Sequence, residues 1–446
     1  MAIAGGVQVI LSPAAYISFG MAGVLSGDGR CKTFDKRADG YARGEGCGAL
    51  FLKPLSAAEA DGNHIYAVIR ATAENHGGRV TTLTAPNSFA QTELLIEAYE
   101  KAQVDPANVG YIECHGSGTS LGDPIEIQSL TKAFAELYKR RDRAPATSPH
   151  CGLSSFKTNI GYLETANGVA GVLKALLAIK HKQIPASIHL EEVNPFINLK
   201  GTSFYIADKL TTWEAPMDED GSPMPRVAGV SSFGFGGANA HVVLEEYVPA
   251  RRESSDAARE PQLVVLSAKN EDRLKAYAQS MRAYLEKHEV DLADFAFTLQ
   301  VGRDEMPERL AFVASSAEDL KQKFEKILEG AGRPDGAWRN NIRNREAKVS
   351  TGDNAQVESL VRELIERKEL SGLAELWVSG AKIDWSLLHK SAAPRRVSLP
   401  TYPFARERYW LREGRTSNGR HEQPTPALAF PQPLIHLNIE MDKVEI

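Results

Sequence analysis

Residues 109–126 read VGYIECHGSGTSLGDPIE. An apolar run of strand character ends in His115, glycines and hydroxyls follow, and a helix is expected to begin near Pro124. This strand, turn and helix order leaves an imidazole at a strand end, where connecting loops carry chemistry in layered α/β folds. Apolar runs and amphipathic helices alternate outward in both directions, from AIAGGVQVIL at the start through QTELLIEAYEKA and GVAGVLKALLAIKHK to HVVLEEY. Residues 1–247 are therefore expected to form one layered α/β domain with strands covered on both faces. In it His115 is a candidate for proton transfer, and Ser117 and Thr119 are candidates for holding a polar ligand arm. The same glycine-rich turn is also compatible with a structural role alone.

Two more stretches have this double character. In KTNIGYLETANG (157–168), Lys157, Asn159 and Gly161 precede a small-residue helix whose N-terminus suits an anion or a developing oxyanion, although small residues also allow a helix to pack closely on a sheet. In SSFGFGGANAH (231–241), Phe233 and Phe235 sit among glycines, as a ring on a movable turn that gates a cleft or as core aromatics of a hairpin. The opening MAIAGGVQVIL reads as a buried strand; it has no basic region of a signal peptide and is too short to span a bilayer.

The 446 residues are enough for two or three domains, and a net charge of -5 gives no electrostatic case for nucleic-acid binding. Cys31, Cys47, Cys114 and Cys151 are too scattered for a disulfide framework and form no Cys-x-x-Cys pair, so reduced thiols, no metal and a cytoplasmic location are expected. At 248–261, VPARRESSDAAREP has the composition of a linker. Residues 262–345 follow as a small α/β adaptor whose first helix has Asn270 as a candidate N-cap. Residues 346–411 combine a helical segment with VSLPTYPFARERYW, an extended strap, and 412–446 form a flexible tail.

With SGDGRCKTFD (26–35), ADGYARGEGCGALFLKPL (38–55), LTAPN (83–87), HGSGTSLGDPIE and GFGGANAHVVLEE in this order, the chain resembles the C-terminal portion of a β-ketoacyl synthase. More narrowly it resembles the ketosynthase domain of modular polyketide synthases, with the adaptor and strap similar to the post-ketosynthase linker of the type served by a separate acyltransferase. The resemblance covers about residues 1–411. It implies a thiolase-like layered α/β fold with its N-terminal part missing, followed by the small α/β adaptor and an extended linker. The implied activity is that of an acyltransferase, a β-ketoacyl synthase, which accepts an acyl chain from an acyl carrier protein and condenses it with a decarboxylating malonyl extender. A homodimer is implied, with no cofactor bound directly beyond the carrier's phosphopantetheine arm. His115 matches the first active-site histidine and Lys157 the lysine of the second motif, with Glu126 and Asn159 supporting. Ser117 and Thr119 match the hydroxyls that hold the phosphopantetheine arm, and Phe235, with Phe233 behind it, the gating turn.

Two departures stand against condensation. Tyr162 occupies the slot of the second histidine, and with an ordinary pKa near 10 it donates a hydrogen bond but is a weak base at neutral pH. The family's cysteine nucleophile would fall before Met1; Cys114, although next to His115, should point to the opposite face of its strand. The chain by itself is thus not expected to be competent. It reads as part of a longer product, or as one half of a split module completed by a polypeptide supplying the missing N-terminal half, or as a decayed remnant. The alternative function is a non-catalytic scaffold for carrier docking and dimerisation. PQPLIHLNIEM (431–441) distantly resembles the opening of a dehydratase domain and equally fits a tail with a short apolar patch.

Overall fold

Strand pairing follows the apolar runs. The computed structural model describes residues 1–80, 85–144, 146, 148–249, 260–330, 332, 334–343, 354–389, 394–407 and 409. Most of the expected linker, part of LTAPN and the whole 412–446 tail, with its dehydratase-like stretch, lie outside these residues. Two units are separated by their contacts, Met1–Ala57 with Ile65–Ala250, and Ala58–His64 with Arg251–Ile446.

The first unit runs β1 (Ala2–Gln8), α1 (Ala14–Met21), β2 (Gly46–Leu52), α2 (Leu55–Ala60, shared with the second unit), β3 (Ala67–His76), α3 (Ser88–Ala102), β4 (Val109–Glu113), α4 (Gly122–Arg140), β5 (Cys151–Ser154), α5 (Lys157–Ile160), α6 (Asn167–His181), β6 (Gln183–Ile184), β7 (Phe204–Ile206), β8 (Thr211–Thr212), β9 (Val227–Phe233) and β10 (Ala238–Glu246). A six-stranded sheet has the order β3-β10-β9-β4-β5-β7, antiparallel at the β3 side and parallel from β9 to β7. The alternating side chains of β4 divide two cores. Ile112 packs with Leu94 and Tyr99 of α3 and Leu130 and Phe134 of α4, while Tyr111 packs with Val172, Ala175 and Ile179 of α6. Asn87 starts α3 by accepting from the backbone N–H of Phe89 at 3.0 Å and of Ala90 at 3.3 Å.

A strand does form at the start of the chain, but it is not the buried strand expected there. β1 pairs antiparallel with β2 in a two-stranded sheet, and Ile3 (74% exposed), Val7 (56%) and Val9 (53%) stand open. The reason is that no layer of described residues covers its outer face. Its inner face rests on the segment before α6, where a Cβ on Gly6 would come within 3.0 Å of the Ala166 Cα.

In the second unit, β11 (Gln262–Ala268), α7 (Glu271–Lys287), α8 (Leu292–Val301), β12 (Glu308–Ala314), α9 (Ala317–Leu328), β13 (Ala337–Asn341), α10 (Asn354–Glu366) and α11 (Leu370–Val378) follow in order, with β12 central in a three-stranded antiparallel sheet. Asn270 caps α7 by accepting from Arg273 N–H at 3.0 Å. Alternation again separates two faces: Val264, Leu266 and Phe312 pack on α7, α8 and α9, and Leu263, Val265 and Ala311 on Val361, Leu373 and Trp377. Across the α7 and α8 side runs the strap. Leu399 is buried in that core, and the Tyr402 hydroxyl accepts from Lys269 N–H at 3.1 Å.

Candidate active site

The end of β4 is shaped by two buried carboxylates on the first turns of α4. Glu126 accepts from His115 N–H at 2.7 Å and Gly116 N–H at 2.8 Å; Asp123 accepts from Phe34 N–H at 2.8 Å and Gly118 N–H at 3.1 Å. Each stretch of loop that turns away from the strand is thereby given its hydrogen bonds by a side chain, as buried backbone requires. Burial pushes both carboxyls up, Asp123 to about 6.

His115 is half-buried, and its Nδ1 accepts from the Phe233 N–H at 3.2 Å, which leaves the ring proton on Nε2. Burial, reinforced by the nearby Lys157 charge, holds its pKa well below the ordinary imidazole value, so the ring is neutral at physiological pH. Lys157, 1% exposed, donates to the His115 carbonyl and lies 4.9 Å from the centre of the Tyr162 ring. Burial pulls its pKa down, and Glu113 and then Glu126 oppose that pull.

Tyr162 stands edge-on to His115, with ring centres 5.5 Å apart at 89°. Its backbone is bridged to the stretch after Tyr41: Tyr162 N–H donates to the Ala42 carbonyl at 2.7 Å, and Gly44 N–H to the Tyr162 carbonyl at 2.9 Å. Only glycine fits at 44, because a Cβ would lie 2.5 Å from the Ile160 carbonyl oxygen. Burial, then the Glu164 charge, pushes the Tyr162 hydroxyl up to about 12, so it is a donor across the neutral range.

The expected site residues are thus partly gathered. His115, Lys157 and Tyr162 are in contact, Phe233 lies 5.5 Å from His115, and Glu126 holds the loop. Ser117 and Thr119 are half-buried on the same loop, 3.3 Å apart, with Thr119 also accepting from Gly122 N–H at 3.2 Å. Phe235 stacks on Phe19 of α1, with centres 6.0 Å apart at 18°. Asn159 is exposed, and its side chain accepts from the Thr158 hydroxyl at 3.2 Å, without a contact to His115 among the described residues.

Several neighbours escape sequence reasoning. Tyr41 packs edge-on against Tyr162 at 4.9 Å, and Cys31 joins the same buried cluster. Arg43 clasps Glu164 with two hydrogen bonds, at 2.6 and 2.8 Å, and Gln8 of β1 donates to the same carboxylate at 2.7 Å. The family-like ADGYARGEG stretch holds both Tyr41 and Arg43, and this is the signal that points to them. Behind the site, Glu113 pairs with Lys174 of α6 at 2.9 Å and accepts from Phe156 N–H at 2.7 Å.

No cysteine thiol hydrogen-bonds the His115 ring among the described residues. The Cys114 thiol donates to the Ile112 carbonyl at 3.7 Å in the core beneath α3 and α4, and burial raises the Cys114 and Cys151 thiols well above their usual range and Cys31 to about 11; Cys47 is exposed on β2. Among the described residues there is no cluster of metal-ligating side chains and no helix long and apolar enough to cross a membrane.

Residues 1–58 match the family described as beta-ketoacyl synthase, N-terminal domain, 66–191 its C-terminal domain, and 265–331 the RhiE-like, KS-MAT linker domain. Polyketide synthase PksN of Bacillus subtilis is 46% identical over 98% of this chain, which spans 8% of that protein's length. The chain spans about a tenth of the length of two further Bacillus subtilis synthases, PksL and PksM. A solved ketosynthase from module 6 of the bacillaene synthase of Bacillus subtilis 168 is 40% identical, with a TM-score of 0.81 over 92% of this chain and 70% of that one. The oxazolomycin ketosynthase domain OzmH KS7 of Streptomyces albus is 39% identical with a TM-score of 0.79, over 92% of this chain and 66% of that one. With identities of about 40% to solved ketosynthase domains and the matched N- and C-terminal family segments, the chain belongs to the ketosynthases of polyketide synthase modules, with their thiolase-like fold.

Proposed function

We propose that this domain receives an acyl chain from the phosphopantetheine arm of an acyl carrier protein and passes it on far faster than it extends it. The supporting observation is the phenol at 162, wedged between Lys157 and His115 where the family resemblance calls for a second imidazole. In acyl transfer a cysteine thiolate attacks the carrier thioester, a bond from carbon to the new sulfur forms, and the pantetheine sulfur leaves with a proton as thiol. The developing oxyanion needs donors, and the Nε2–H of His115 and the Tyr162 hydroxyl are both neutral donors. Condensation asks for more: malonyl decarboxylation releases CO2 and leaves an enolate, which an imidazole can assist by proton exchange and a phenol near pKa 12 cannot.

On this reading Ser117 and Thr119 hold the carrier arm, Phe235 gates it with Phe233 behind, and Lys157 with Glu126 sets the charge balance beneath His115. Asn159 takes part only if a neighbouring segment covers it. The nucleophile is assigned to polypeptide outside residues 1–446, because none of the four cysteines combines reactivity with a place beside His115. The working unit is a cytoplasmic homodimeric module.

The same cysteine observation favours a second reading, a scaffold that docks carrier proteins without covalent chemistry. Intact-protein mass spectrometry of the module after incubation with acyl-loaded and malonyl-loaded carrier separates the two. An acyl adduct without an extended product supports transfer, no adduct supports the scaffold, and ordinary extension overturns the role given to Tyr162.

A further inference from the structure

The hydroxyl of Tyr41 is buried without a hydrogen-bond partner among the described residues, in a side chain only 2% exposed. Most buried hydroxyls in folded proteins are paired, so an orphan of this kind needs a reason. The backbone cannot turn it elsewhere: Tyr41 N–H donates to the Val24 carbonyl and its own carbonyl accepts from Ser26 N–H, both at 3.0 Å. Three rings pack against the Tyr41 ring, Tyr162 at 4.9 Å, Phe19 at 6.4 Å and Phe235 at 6.5 Å between centres. Of these, Tyr162 is pinned through its backbone bridge and Phe19 is carried on α1.

Phe235 differs. It is 46% exposed and flanked by glycines, of which Gly236 (φ 86°) and Gly237 (φ 93°) occupy the left-handed region. A ring on such a turn swings out at little backbone cost. Outward motion removes one of the three rings packed around Tyr41, the most exposed of them.

We propose that Tyr41 is a gated substrate-binding residue: Phe235 covers its hydroxyl when the site is empty, and opening of Phe235 frees that hydroxyl to hydrogen-bond an oxygen of the incoming acyl thioester. The ligand chemistry is a thioester or amide carbonyl, since the phenol's one O–H needs an acceptor and no acceptor among the described residues reaches it. An unpaired hydroxyl weighs against the closed gate and is relieved by the open, loaded state, so substrate gains from both. This rests on the reading that acyl groups enter here.

Tyr41→Phe tests it in the full module. With no partner to lose in the empty site, the variant keeps or raises the melting temperature, while acylation by an acyl-N-acetylcysteamine thioester falls about three- to tenfold, the worth of one neutral hydrogen bond. In a Phe235→Ala background, where the hydroxyl is open to water, Tyr41→Phe no longer raises the melting temperature yet still slows acylation. A wild-type acylation rate in Tyr41→Phe, or a lowered melting temperature that marks a hidden structural partner, overturns the proposal. Failure of the parent module to accept any acyl group is a separate result, which removes the transfer reading and leaves the thermal shift as the measure of the orphan hydroxyl.

Discussion

Replacing Tyr162 by histidine puts two opposed effects on one residue. The stability side is set by packing. Tyr162 is 6% exposed and makes edge-on contacts with Tyr41 and His115, so a smaller ring weakens two aromatic pairs, each worth about 0.5 to 1.5 kcal/mol, for a total loss of about 1 to 3 kcal/mol. The chemical side depends on the charge state of the new ring. Lys157 Nζ lies 4.9 Å from the present ring centre, and a second unit charge there costs about 3 kcal/mol at an effective dielectric constant of about 20. That is about two pKa units on top of the burial penalty, so the imidazole introduced by Tyr162→His stays neutral at neutral pH and is able to exchange a proton. General acid/base assistance is typically worth about 10² to 10⁴ in rate. Because the ring pKa is held below the operating pH, Tyr162→His is expected to raise extension toward the low end of that range, about a hundredfold, while lowering the melting temperature by several degrees. The assay follows extended product and CO2 release from malonyl-loaded carrier, with nucleophile acylation as a separate readout. Tyr162→Phe is the control: it keeps the packing, loses the donor, slows acylation severalfold and gains no extension. An acylated Tyr162→His module that extends no faster than the parent refutes the assignment of this slot.

The remaining expectations concern the scaffold around the site. Cys47 reacts with a thiol reagent in the native protein, while Cys31, Cys114 and Cys151 react only after denaturation; peptide mass spectrometry reads the pattern. Leu399→Ala removes a buried side chain of the strap and costs about 2 to 4 kcal/mol in the unfolding of the second unit by urea, whereas a strap that merely lies on the surface predicts less than about 1 kcal/mol. Burial lowers the pKa of His241, between Ser231 and Tyr99, to about 3 against the ordinary 6.5, so the unfolded chain binds its proton first. The stability contributed by the neutral ring is complete above about pH 6.5 and is lost as pH falls toward about 3; His241→Gln flattens that limb of urea midpoint against pH, and an unchanged slope contradicts it.

Legibility from sequence divides along sequence separation. The alternation of apolar runs and helices marked the sheet and both its helical layers, because a strand covered on two faces and a helix covered on one differ within about ten residues. His115 and Phe233 were marked as candidates by strands that run into glycines and Lys157 by the short helix before Gly161, whereas Tyr162 was singled out only through the resemblance to a known family. What was not legible is the enclosure of Tyr162. Arg43 and Glu164 are 121 residues apart and Gln8 and Glu164 are 156 apart, yet they converge on one carboxylate at the edge of the site. No local pattern distinguishes such residues from solvated charges. The exposure of β1 follows from a related point: an apolar run shows that a strand wants cover, and the residues of this chain do not supply it among those described. The two features belong together physically. Gln8 is the end of β1, so the strand that lacks an outer layer is also the strand that helps hold Glu164 in its left-handed conformation (φ 40°) two residues beyond Tyr162. Gln8→Ala, which breaks the link from β1 to Glu164, is expected to shift extension and acylation rates together in the complete module without altering the helix and sheet core behind them.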